Sequence, residues 1–476
     1  MLSAHVLRTR LLCLLPLAVA SSLVAYAQPK PREASKIYAE FCAGCHGANL
    51  EGGSASALLG ENWKHGGTDE ALAASIRDGI PETGMPGFKA TVSEIELRGL
   101  IVYMREQGGR SASQRRPAPR PEADAVATSQ LHSYRVETVF SGVKEPWSIA
   151  FLPNDRVLIT EKRGALRLAE NGVLREEPVS GTPAVDSGGQ GGLFDVVLHP
   201  DHARNGWIYL AFADNQTNPS GKSVSMTSIV RGRLKDNAWT DQEVIYRAPI
   251  ELFRNPGGVH YGGRLAFDKD HFLFFTIGDR GDQRGAQNLS LPNGKTHRIH
   301  DDGRIPADNP FVNTPNALPS IWTYGNRNAQ GLRFHPTTGE LWSHEHGPRG
   351  GDELNLIRRG LNYGWPVATF GMNYNGTPIT DITGRPDIEP PVVQWTPSIA
   401  PCGMAFYTGD AFPKWRDHLF VSTLRAEELV RLELKDGKVV NQEVIFKGLG
   451  RQRDVITGPD GSLYVLFQDR VSRLVP

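Results

Sequence analysis

A Cys-x-x-Cys-His sequence near the N-terminus carries the most specific chemical signal in the chain. Cys42 and Cys45 are separated by two residues, and His46 follows directly. This spacing is the attachment pattern of c-type haem, in which the thiols form thioethers with the vinyl groups and the histidine binds the iron from one face. A haem held in this way transfers single electrons, so we expect the rest of the chain to supply or consume electrons.

The other face of the iron needs a second ligand, for which methionine is a common choice. Met85 lies in a Thr-Gly-Met-Pro-Gly loop, where glycine and proline fix a turn that lets the thioether reach inward. Met104 lies on the apolar face of a predicted helix and is more simply explained as a core residue. His65, on a loop, is a third possibility. We predict that Met85 is the iron ligand.

A second set of chemically capable residues lies in polar, glycine-flanked strings far apart in the C-terminal part of the chain. Together they supply several arginines, a histidine with a nearby aspartate, and glycines that let a flat ligand approach the backbone. Arginine forks that face one point favour a polyanionic ligand with planar carboxylates, whereas structural salt bridges are the alternative for any single arginine. The strings begin at Gly188, Val259, Thr276, Tyr324, His344, Ser422 and Gly450.

The first residues have the organisation of a secretory signal. Arg8 and Arg10 precede an apolar run, and an Ala-x-Ala cleavage site ends at Ala27. A membrane anchor is the alternative, but the run is short and two serines interrupt it. The sequence therefore predicts a signal peptide over residues 1–27 and no membrane span after its removal. Since thioether-linked haem is assembled outside the bacterial cytoplasm, we expect a periplasmic protein.

Residues 28–108 are predicted to form a small all-α domain that resembles a class I cytochrome c. Helices are expected over 34–41, 68–78 and 93–106, the second with Thr68 as its N-cap. Residues 109–130 follow. They are rich in proline, arginine, alanine and serine and contain no aromatic residue, and this composition predicts a semi-extended linker.

Residues 131–476 change to short, β-rich runs in which one pattern recurs. A turn of Pro, Asp, Asn or Gly type precedes an apolar strand six times, with a mean period of roughly 58 residues. Repeats of this size predict a six-bladed β-propeller behind the small helical domain, so the fold class is mostly β. Loops on one rim of a propeller converge, and we expect the site there. The copies begin at Leu152, His199, Phe267, His335, Phe412 and Gly458.

The composition of the chain narrows its partners further. Lys plus Arg and Asp plus Glu balance at 52 each, so no net charge favours nucleic acid as a partner. Of the 4 cysteines, Cys13 lies in the predicted signal peptide and two belong to the haem motif. Cys402 is left without a partner and is expected to be a small buried residue. A disulfide framework is excluded.

The ordered set of polar strings resembles that of the soluble quinoprotein glucose/sorbosone dehydrogenase family, especially its aldose sugar dehydrogenase branch. The resemblance covers essentially all of residues 131–476. It implies a six-bladed propeller that uses pyrroloquinoline quinone (PQQ) and calcium. It also implies that His260 is the general base toward the sugar C1 hydroxyl, that Asp279 orients the His260 imidazole, and that Arg327 lies nearest the quinone oxygens.

The same resemblance implies the cofactor contacts. The residues that match PQQ-contacting positions are Gln190, Arg327, Asn328, Tyr374, Arg425, Arg451 and Arg453. At Arg425 some relatives carry lysine, and Tyr374 is placed only by its offset along a loop. The matches to calcium ligands are the Gly347 and Pro348 carbonyls for the ion that bridges protein and quinone, and Glu353 and the Tyr363 carbonyl for a structural ion. His344 and His346 have a spacing that suits zinc, but no third ligand is evident and we predict no zinc site.

The fused cytochrome domain is the departure from the family, whose core usually lacks one. We predict that sugar reduces PQQ, that the electrons pass to haem c in the same chain, and that a periplasmic electron acceptor receives them. A tether of this kind raises the effective concentration of the haem to about millimolar. Two alternatives stay open. In the first, the propeller would be a cofactor-free sugar- or partner-binding module on an electron-carrier cytochrome. In the second, the enzyme would act on sorbosone or on another aldehyde or polyol.

Overall fold

The computed structural model describes residues 30–59, 63–115, 118–122 and 125–476. The predicted signal peptide over residues 1–27, with Cys13, lies outside the described residues. Within the described ranges, none of the helices has the length and apolar character needed to cross a membrane. The fold is mostly β, with a six-bladed propeller behind a small helical domain, as the sequence predicts.

Helices joined by loops make up the described part of the N-terminal domain. They are α1 (Ala34–Phe41), α2 (Ala43–His46), α3 (Asp69–Asp78) and α4 (Glu94–Arg115), with a 3-10 turn at Pro81–Thr83. α1 has the predicted bounds. α3 begins after Thr68, whose Oγ1 accepts a hydrogen bond from the Ala71 amide at 3.2 Å, so the predicted N-cap is confirmed.

The last of these helices is longer than the sequence pattern indicates. α4 continues past Glu106 to Arg115, although Gly108 and Gly109 each disfavour a helix interior by about 1 kcal/mol. Glu106 offsets this because its carboxylate accepts hydrogen bonds from Arg110 one turn later, at 2.6 Å, and from Arg349 of the propeller, at 2.7 Å. The first residues of the predicted linker, 109–115, are therefore helical.

An apolar core holds the helical domain together. It contains Ile37, Leu72, Leu97, Leu100, Ile101 and Met104 among other buried residues. Met104 is 5% exposed in this core, whereas Met85 is only partly buried and packs at its margin. Burial of a methionine side chain contributes about 1.5–3 kcal/mol, so Met104 has the structural role that its helical position predicts.

The propeller is built from consecutive antiparallel sheets. Before the first blade lie β1 (Ala127–Thr128) and β2 (Ser133–Ser141). The first three blades contain β3 (Pro146–Leu152), β4 (Arg156–Glu161), β5 (Leu166–Glu170) and β6 (Val173–Leu174); β7 (Leu193–Leu198), α5 (His202–Asn205), β8 (Ile208–Thr217), β9 (Ser223–Lys235) and β10 (Ala238–Tyr246); and β11 (Leu265–Phe267), β12 (Leu273–Ile277), β13 (Lys295–Ile299) and β14 (Ile321–Tyr324).

The remaining blades follow the same scheme. They contain β15 (Ala329–Phe334), β16 (Leu341–Glu345), β17 (Asp352–Ile357) and β18 (Val393–Trp395); β19 (Pro401–Phe406), β20 (Leu419–Thr423), β21 (Glu428–Lys435) and β22 (Lys438–Lys447); and β23 (Gln452–Thr457), β24 (Leu463–Phe467) and β25 (Arg470–Val475). β2 completes the last sheet by pairing antiparallel with β25, with Val136 opposite Leu474. Strands from both ends of the propeller thus share one sheet, which closes the ring.

The recurring turn has the same place in every blade. Leu152 ends β3 before β4 begins, His199 lies between β7 and β8, and the other copies likewise join the first strand of a blade to its second. Successive first strands contact one another around the ring, from β3 to β23 and back to β3. The sequence period is therefore one blade, which is why it predicts the fold.

A buried ion network lies where the first strands meet. The Arg264 guanidinium, 1% exposed, contacts Asp454 at 3.0 Å and Asp195 at 3.5 Å, so three blades share these charges. It also lies 4.1 Å from the centre of the Trp147 ring. Salt bridging, the alternative considered for any single arginine of the polar strings, is thus the role that the structure gives Arg264.

Candidate active site

A cavity of about 250 Å³ opens on one rim of the propeller. Its lining includes Gln190, Asn328, Arg451 and Arg453, which are four of the seven predicted PQQ contacts. Each of the first three lies just before, and Arg453 within, the first strand of its blade. Because the first strands form the inner wall of the ring, residues far apart in sequence meet at this cavity.

The cavity carries permanent positive charge. Lys162, Arg451 and Arg453 line it, with Glu145 as the carboxylate. In the part of the chain that the structure describes, the Arg451 guanidinium has no hydrogen bond or ion pair with the protein. Burial and the charge of neighbouring arginines lower the pKa of His346, which also lines the cavity, to about 3, so this imidazole is neutral. The donor set therefore fits an anionic ligand.

His260 and Asp279 form a close pair beside this cavity. His260 Nδ1 lies 2.6 Å from Asp279 Oδ1, and the His260 amide donates to Oε1 of cavity-lining Gln190 at 2.8 Å. Asp279 is fully buried, and its carboxylate also accepts hydrogen bonds from the Gly281 amide and from Trp365 Nε1, both at 2.8 Å. The carboxylate is thereby fixed, and it fixes the imidazole in turn.

The protonation states of this pair suit a general base. Burial lowers the pKa of His260 below its usual 6.5, against the opposing effect of its hydrogen bond to Asp279. For Asp279, burial acts to raise the pKa, but the hydrogen bond from His260 and the nearby charges leave it below its usual value. The pair is therefore a neutral imidazole beside a carboxylate. With the proton on Nδ1, Nε2 is the basic atom.

The backbone around His260 is held in an uncommon conformation. His260 has φ of +54°, a left-handed value that costs a non-glycine residue about 1–3 kcal/mol. Gly278, which precedes Asp279, packs so closely that a Cβ there would lie 2.3 Å from the His260 carbonyl oxygen. The Gly278-Asp279 pair thus combines a close backbone approach with the carboxylate that the imidazole needs.

Arg327 lies at the junction of the two candidate cofactor sites. Its guanidinium donates to the carbonyls of His346, at 3.1 Å, and Gly347, at 2.9 Å, and lies 5.3 Å from the Trp365 ring centre. Its backbone amide donates to the Glu345 carboxylate. Arg327 therefore contacts Gly347, a predicted calcium ligand, as well as the tryptophan that holds Asp279.

Three of the seven predicted PQQ contacts do not line this cavity, namely Arg327, Tyr374 and Arg425, and of these Arg327 lines a second, smaller cavity. Tyr374 is 73% exposed on the segment between β17 and β18, and Arg425 is exposed after β20. In the described residues the Arg425 side chain has no hydrogen bond or ion pair with the protein. The roles of Tyr374 and Arg425 stay predictions, and the structure does not bring these two side chains together with the four predicted contacts that line the cavity.

A second, smaller cavity contains paired acidic residues. Glu345 on β16 lies opposite Glu353 on β17, and both line this space together with Tyr363 and Gly347. Burial raises the pKa of Glu345 to about 7. Burial and the neighbouring Glu345 raise the pKa of Glu353 well above its usual value. Two facing carboxylates this deep in a protein are expected to be paired with a cation.

The surroundings of these carboxylates also fit a hard cation. The side-chain oxygens of Asn326 and Asn355 are buried without a hydrogen-bond partner, and both amide nitrogens lie within 3.5 Å of Glu345 Oε1. Carboxylate and amide oxygens are the ligands calcium prefers. Sequence reasoning missed Glu345, since it considered that stretch only for zinc. The strand register opposite Glu353 is the signal that identifies it.

The haem motif is presented by one short helix. Cys42 precedes α2, and Cys45 and His46 end it, so the three lie on one face at i, i+3 and i+4. His46 Nδ1 lies 2.8 Å from the Ser56 carbonyl, which fixes the ring and leaves Nε2 for a metal. Met85 is held in its loop by pairing with Ile80, whose amide donates to the Met85 carbonyl at 2.9 Å. These residues fit haem c.

Two families of known proteins match this chain. Residues 143–475 match the family Glucose / Sorbosone dehydrogenase. Residues 29–104 match the family Cytochrome C oxidase, cbb3-type, subunit III. The first match spans the blades described above, and the second spans the helical domain with its haem motif.

Individual relatives match the chain over most of their own length. The aldose sugar dehydrogenase YliI of Escherichia coli is 41% identical over 346 residues, which cover 71% of this chain and 91% of that protein. A crystal structure of the soluble E. coli aldose sugar dehydrogenase in the apo-form is similar, with 40% identity, a TM-score of 0.66, and coverage of 72% and 98%. The PQQ-bound form of aldose sugar dehydrogenase from Streptomyces coelicolor has 26% identity, a TM-score of 0.57, and coverage of 74% and 99%.

Proposed function

The chain belongs to the glucose/sorbosone dehydrogenase family, and from this premise we propose that it is a PQQ- and calcium-dependent dehydrogenase that oxidises an aldose at C1 to the lactone and delivers the electrons to a covalently attached haem c. The observation that carries the proposal is the pairing of His260 with buried Asp279 beside an arginine-lined cavity. A binding module without cofactor has no use for such a base.

His260 and Asp279 together accept the proton that leaves the sugar hydroxyl. Oxidation at C1 breaks one C–H and one O–H bond, and the carbon–oxygen bond becomes a carbonyl. His260 Nε2 accepts the hydroxyl proton, and the Asp279 carboxylate stabilises the imidazolium that results. Trp365 and the Gly281 amide keep that carboxylate in place, so the pair is oriented before sugar binds.

The cavity would hold PQQ through its polar lining. Arg451 and Arg453 would pair with carboxylates, and Gln190 and Asn328 would donate hydrogen bonds from their side-chain amides. Arg425 and Tyr374 would approach from the exposed surface. When bound, PQQ supplies the acceptor for the hydride, calcium acts on it as a Lewis acid, and haem c carries single electrons. Arg327 would stabilise the negative charge that develops on the acceptor.

Two sets of oxygen ligands would hold calcium. The Gly347 and Pro348 carbonyls lie on the loop between β16 and β17, beside the Arg327 guanidinium. Glu353 and the Tyr363 carbonyl would hold the structural ion, and the facing Glu345 adds a further carboxylate. A calcium ion would stabilise the ionised forms of both carboxylates, which their burial together otherwise disfavours.

The helical domain would take the electrons onward. Cys42 and Cys45 would hold haem covalently, with His46 and Met85 as the iron ligands. Removal of two electrons per sugar by way of a one-electron carrier requires an external periplasmic acceptor that is reduced twice per turnover. The predicted signal over residues 1–27 and the thioether chemistry both support a periplasmic location.

Replacement of the base tests this function directly. In His260→Gln, aldose-dependent reduction of a soluble dye by the PQQ- and calcium-loaded holoprotein is expected to fall about 10²–10⁴-fold. His271→Gln, which changes a histidine on the turn between β11 and β12, is the matched control and should keep full activity. Full activity in a folded His260→Gln protein would overturn the proposal. A panel of aldoses, sorbosone, aldehydes and polyols on the wild type then selects the substrate class.

A further inference from the structure

The helical domain rests on the blade that carries the candidate calcium ligands. The contact includes two segments of that blade, residues 347–351 between β16 and β17, and residues 370–378 between β17 and β18. Arg349 and Met372 join them, since the Arg349 amide donates to the Met372 carbonyl at 2.9 Å and the reverse bond is 3.1 Å. These two segments are named the docking ledge.

The centre of the contact is apolar and closed. Ala34 of α1, Val102 of α4 and Met372 of the ledge form one cluster, and each is at most 1% exposed. The Ala34 amide donates to the Gly376 carbonyl at 3.0 Å. Because the first amides of a helix have no partner within the helix, this bond lets the propeller satisfy one of them.

Charged contacts flank this centre on both sides. Glu106, fully buried, accepts a hydrogen bond from Arg349 Nε at 2.7 Å. Arg98, 7% exposed, donates to the Phe370 carbonyl at 3.3 Å, and its guanidinium lies 5.8 Å from the Phe370 ring centre. Glu106 also pairs with Arg110 of its own helix, so loss of Arg349 would leave this buried carboxylate with one of its two cations. Because that loss is unfavourable for a buried charge, the Glu106–Arg349 pair favours one position of the helical domain on the ledge.

The residues of α4 that make these contacts share one face of the helix. Arg98, Val102 and Glu106 are spaced by four residues and therefore lie above one another along the helix. This stripe mixes two charged residues with one apolar residue and faces the ledge, whereas Leu97, Leu100 and Ile101 face the core of the helical domain. α4 thus has a second face that is used by the propeller.

We infer that this stripe and the docking ledge hold the cytochrome domain in one fixed position, and that electrons pass within the chain across this surface. The inference rests on the proposed function. Each transfer changes one haem iron from Fe(III) to Fe(II) without a change in its covalent bonds, and a periplasmic acceptor reoxidises it. The fixed contact, rather than the reach of a tether, sets the geometry of transfer, because the ledge includes the loop of Gly347 and Pro348.

A cross-link tests the docked position without reference to activity. A Cβ built on Gly99 lies 3.5 Å from Pro378 Cβ, a separation that a disulfide accepts. We expect the holoprotein of the double variant Gly99→Cys/Pro378→Cys to form this disulfide under mild oxidation, seen as faster migration on a non-reducing gel and a mass lower by two hydrogens. Gly99→Cys/Glu176→Cys is the control, since Glu176 is exposed on the first blade, across the ring.

The cross-linked protein then tests the electron route. We expect its haem to be reduced by aldose at a rate within twofold of the uncross-linked protein, with unchanged dye-linked activity. A disulfide no more frequent than in the control would overturn the docked position. Loss of haem reduction with dye-linked activity intact would overturn the route across this surface. Absence of dye-linked activity in the wild type would instead overturn the proposed function, while the gel still decides the docked position.

A charge exchange provides a second test. Glu106→Arg places three cations together, since Arg110 and Arg349 both contact this position, and it is expected to slow haem reduction by aldose at least tenfold while dye-linked oxidation is unchanged. The exchange Glu106→Arg/Arg349→Glu restores an ion pair of opposite sense and should restore most of the rate. A Glu106→Arg protein with the wild-type haem-reduction rate would contradict the inference.

Discussion

The two cofactor-binding regions of this chain arrange their residues in opposite ways. In the helical domain Cys42, Cys45 and His46 follow one another on a short helix, and Cys45 is exposed. In the propeller the predicted PQQ contacts that line the cavity extend in sequence from Gln190 to Arg453, and Asp279, Glu345 and Glu353 are buried. The comparison indicates that covalent attachment needs only local geometry, whereas a ligand held by charge needs a fold that keeps charged groups in place.

The propeller site shows what that requirement involves. Asp279 is buried but has three hydrogen-bond donors, and His260 is held at a positive φ. Glu345 and Glu353 face each other with raised pKa values. No comparable cluster of buried charges lies among the described residues around His46. Changes in the two regions should therefore have separable effects.

Substitutions in the haem motif are expected to give the largest difference between the effects on haem reduction and on dye-linked sugar oxidation. Cys42→Ala with His46→Ala removes a covalent attachment and an iron ligand, so aldose-dependent haem reduction should disappear completely. Dye-linked sugar oxidation should stay within twofold of the wild type, because the propeller cavity is unchanged. Absorption spectra and dye assays on the same preparation measure both. Loss of dye-linked oxidation in a folded variant would show that the two regions are not independent.

Asp279→Asn is the matching change in the propeller. It removes the charge that stabilises the imidazolium, and kcat/KM with dye is expected to fall about 10²–10⁴-fold. Because the base works only when deprotonated, activity is lost as pH falls through the His260 pKa. Burial sets that pKa below 6.5 and Asp279 raises it, so the acid limb of the variant should lie at lower pH than that of the wild type. A pH–rate profile checks this, and an acid limb moved upward would contradict it.

Within the helical domain, Met104 and Met85 are expected to differ in role, the first as a core residue and the second as an iron ligand. Met104→Ala leaves a cavity in the core and should lower the free energy of unfolding by about 2–5 kcal/mol. Met85→Ala should cost less stability but abolish the long-wavelength iron–sulfur band and lower the haem reduction potential. Thermal unfolding and spectroelectrochemistry of both variants distinguish them. An intact iron–sulfur band in Met85→Ala would remove Met85 as the ligand.

Loss of the structural calcium ion is expected to have the smallest effect. Calcium at about 100 times its dissociation constant should stabilise the wild type by about 2.7 kcal/mol relative to chelator-treated protein. Glu353→Gln and Glu345→Gln should lose most of this increment, because each removes a carboxylate ligand, while their haem spectra stay unchanged. Melting curves with and without calcium measure it. An increment equal to that of the wild type in both variants would exclude this pair as a calcium site.

Features that depend on nearby residues were predictable from the sequence. The six-fold turn pattern predicted six blades, because each copy joins the first two strands of one blade. The bounds of α1 and the Thr68 cap followed from local helix chemistry. The end of α4 did not, because Glu106 is stabilised by Arg349, which lies 243 residues away in the chain. A composition rule for the linker cannot include such a contact.

The residues of the candidate sites also differ in whether nearby sequence alone identifies them. Spacing alone indicated Cys42, Cys45 and His46, whereas Gln190, Asn328, Arg451 and Arg453 required an ordered set of strings, and the structure places them in one cavity. Glu345 was missed because its meaning depends on strand register with Glu353. Arg264 shares a string with His260 yet pairs with Asp454, since a string does not specify where a side chain points.

The most direct measurement is anaerobic mixing of the ferric holoprotein, loaded with PQQ and calcium, with excess aldose while the haem absorption is followed. We predict first-order haem reduction whose rate constant is unchanged over a tenfold range of protein concentration, and no reduction without PQQ. Haem that stays ferric while an added dye is reduced, or a rate that rises in proportion to protein concentration, would contradict it.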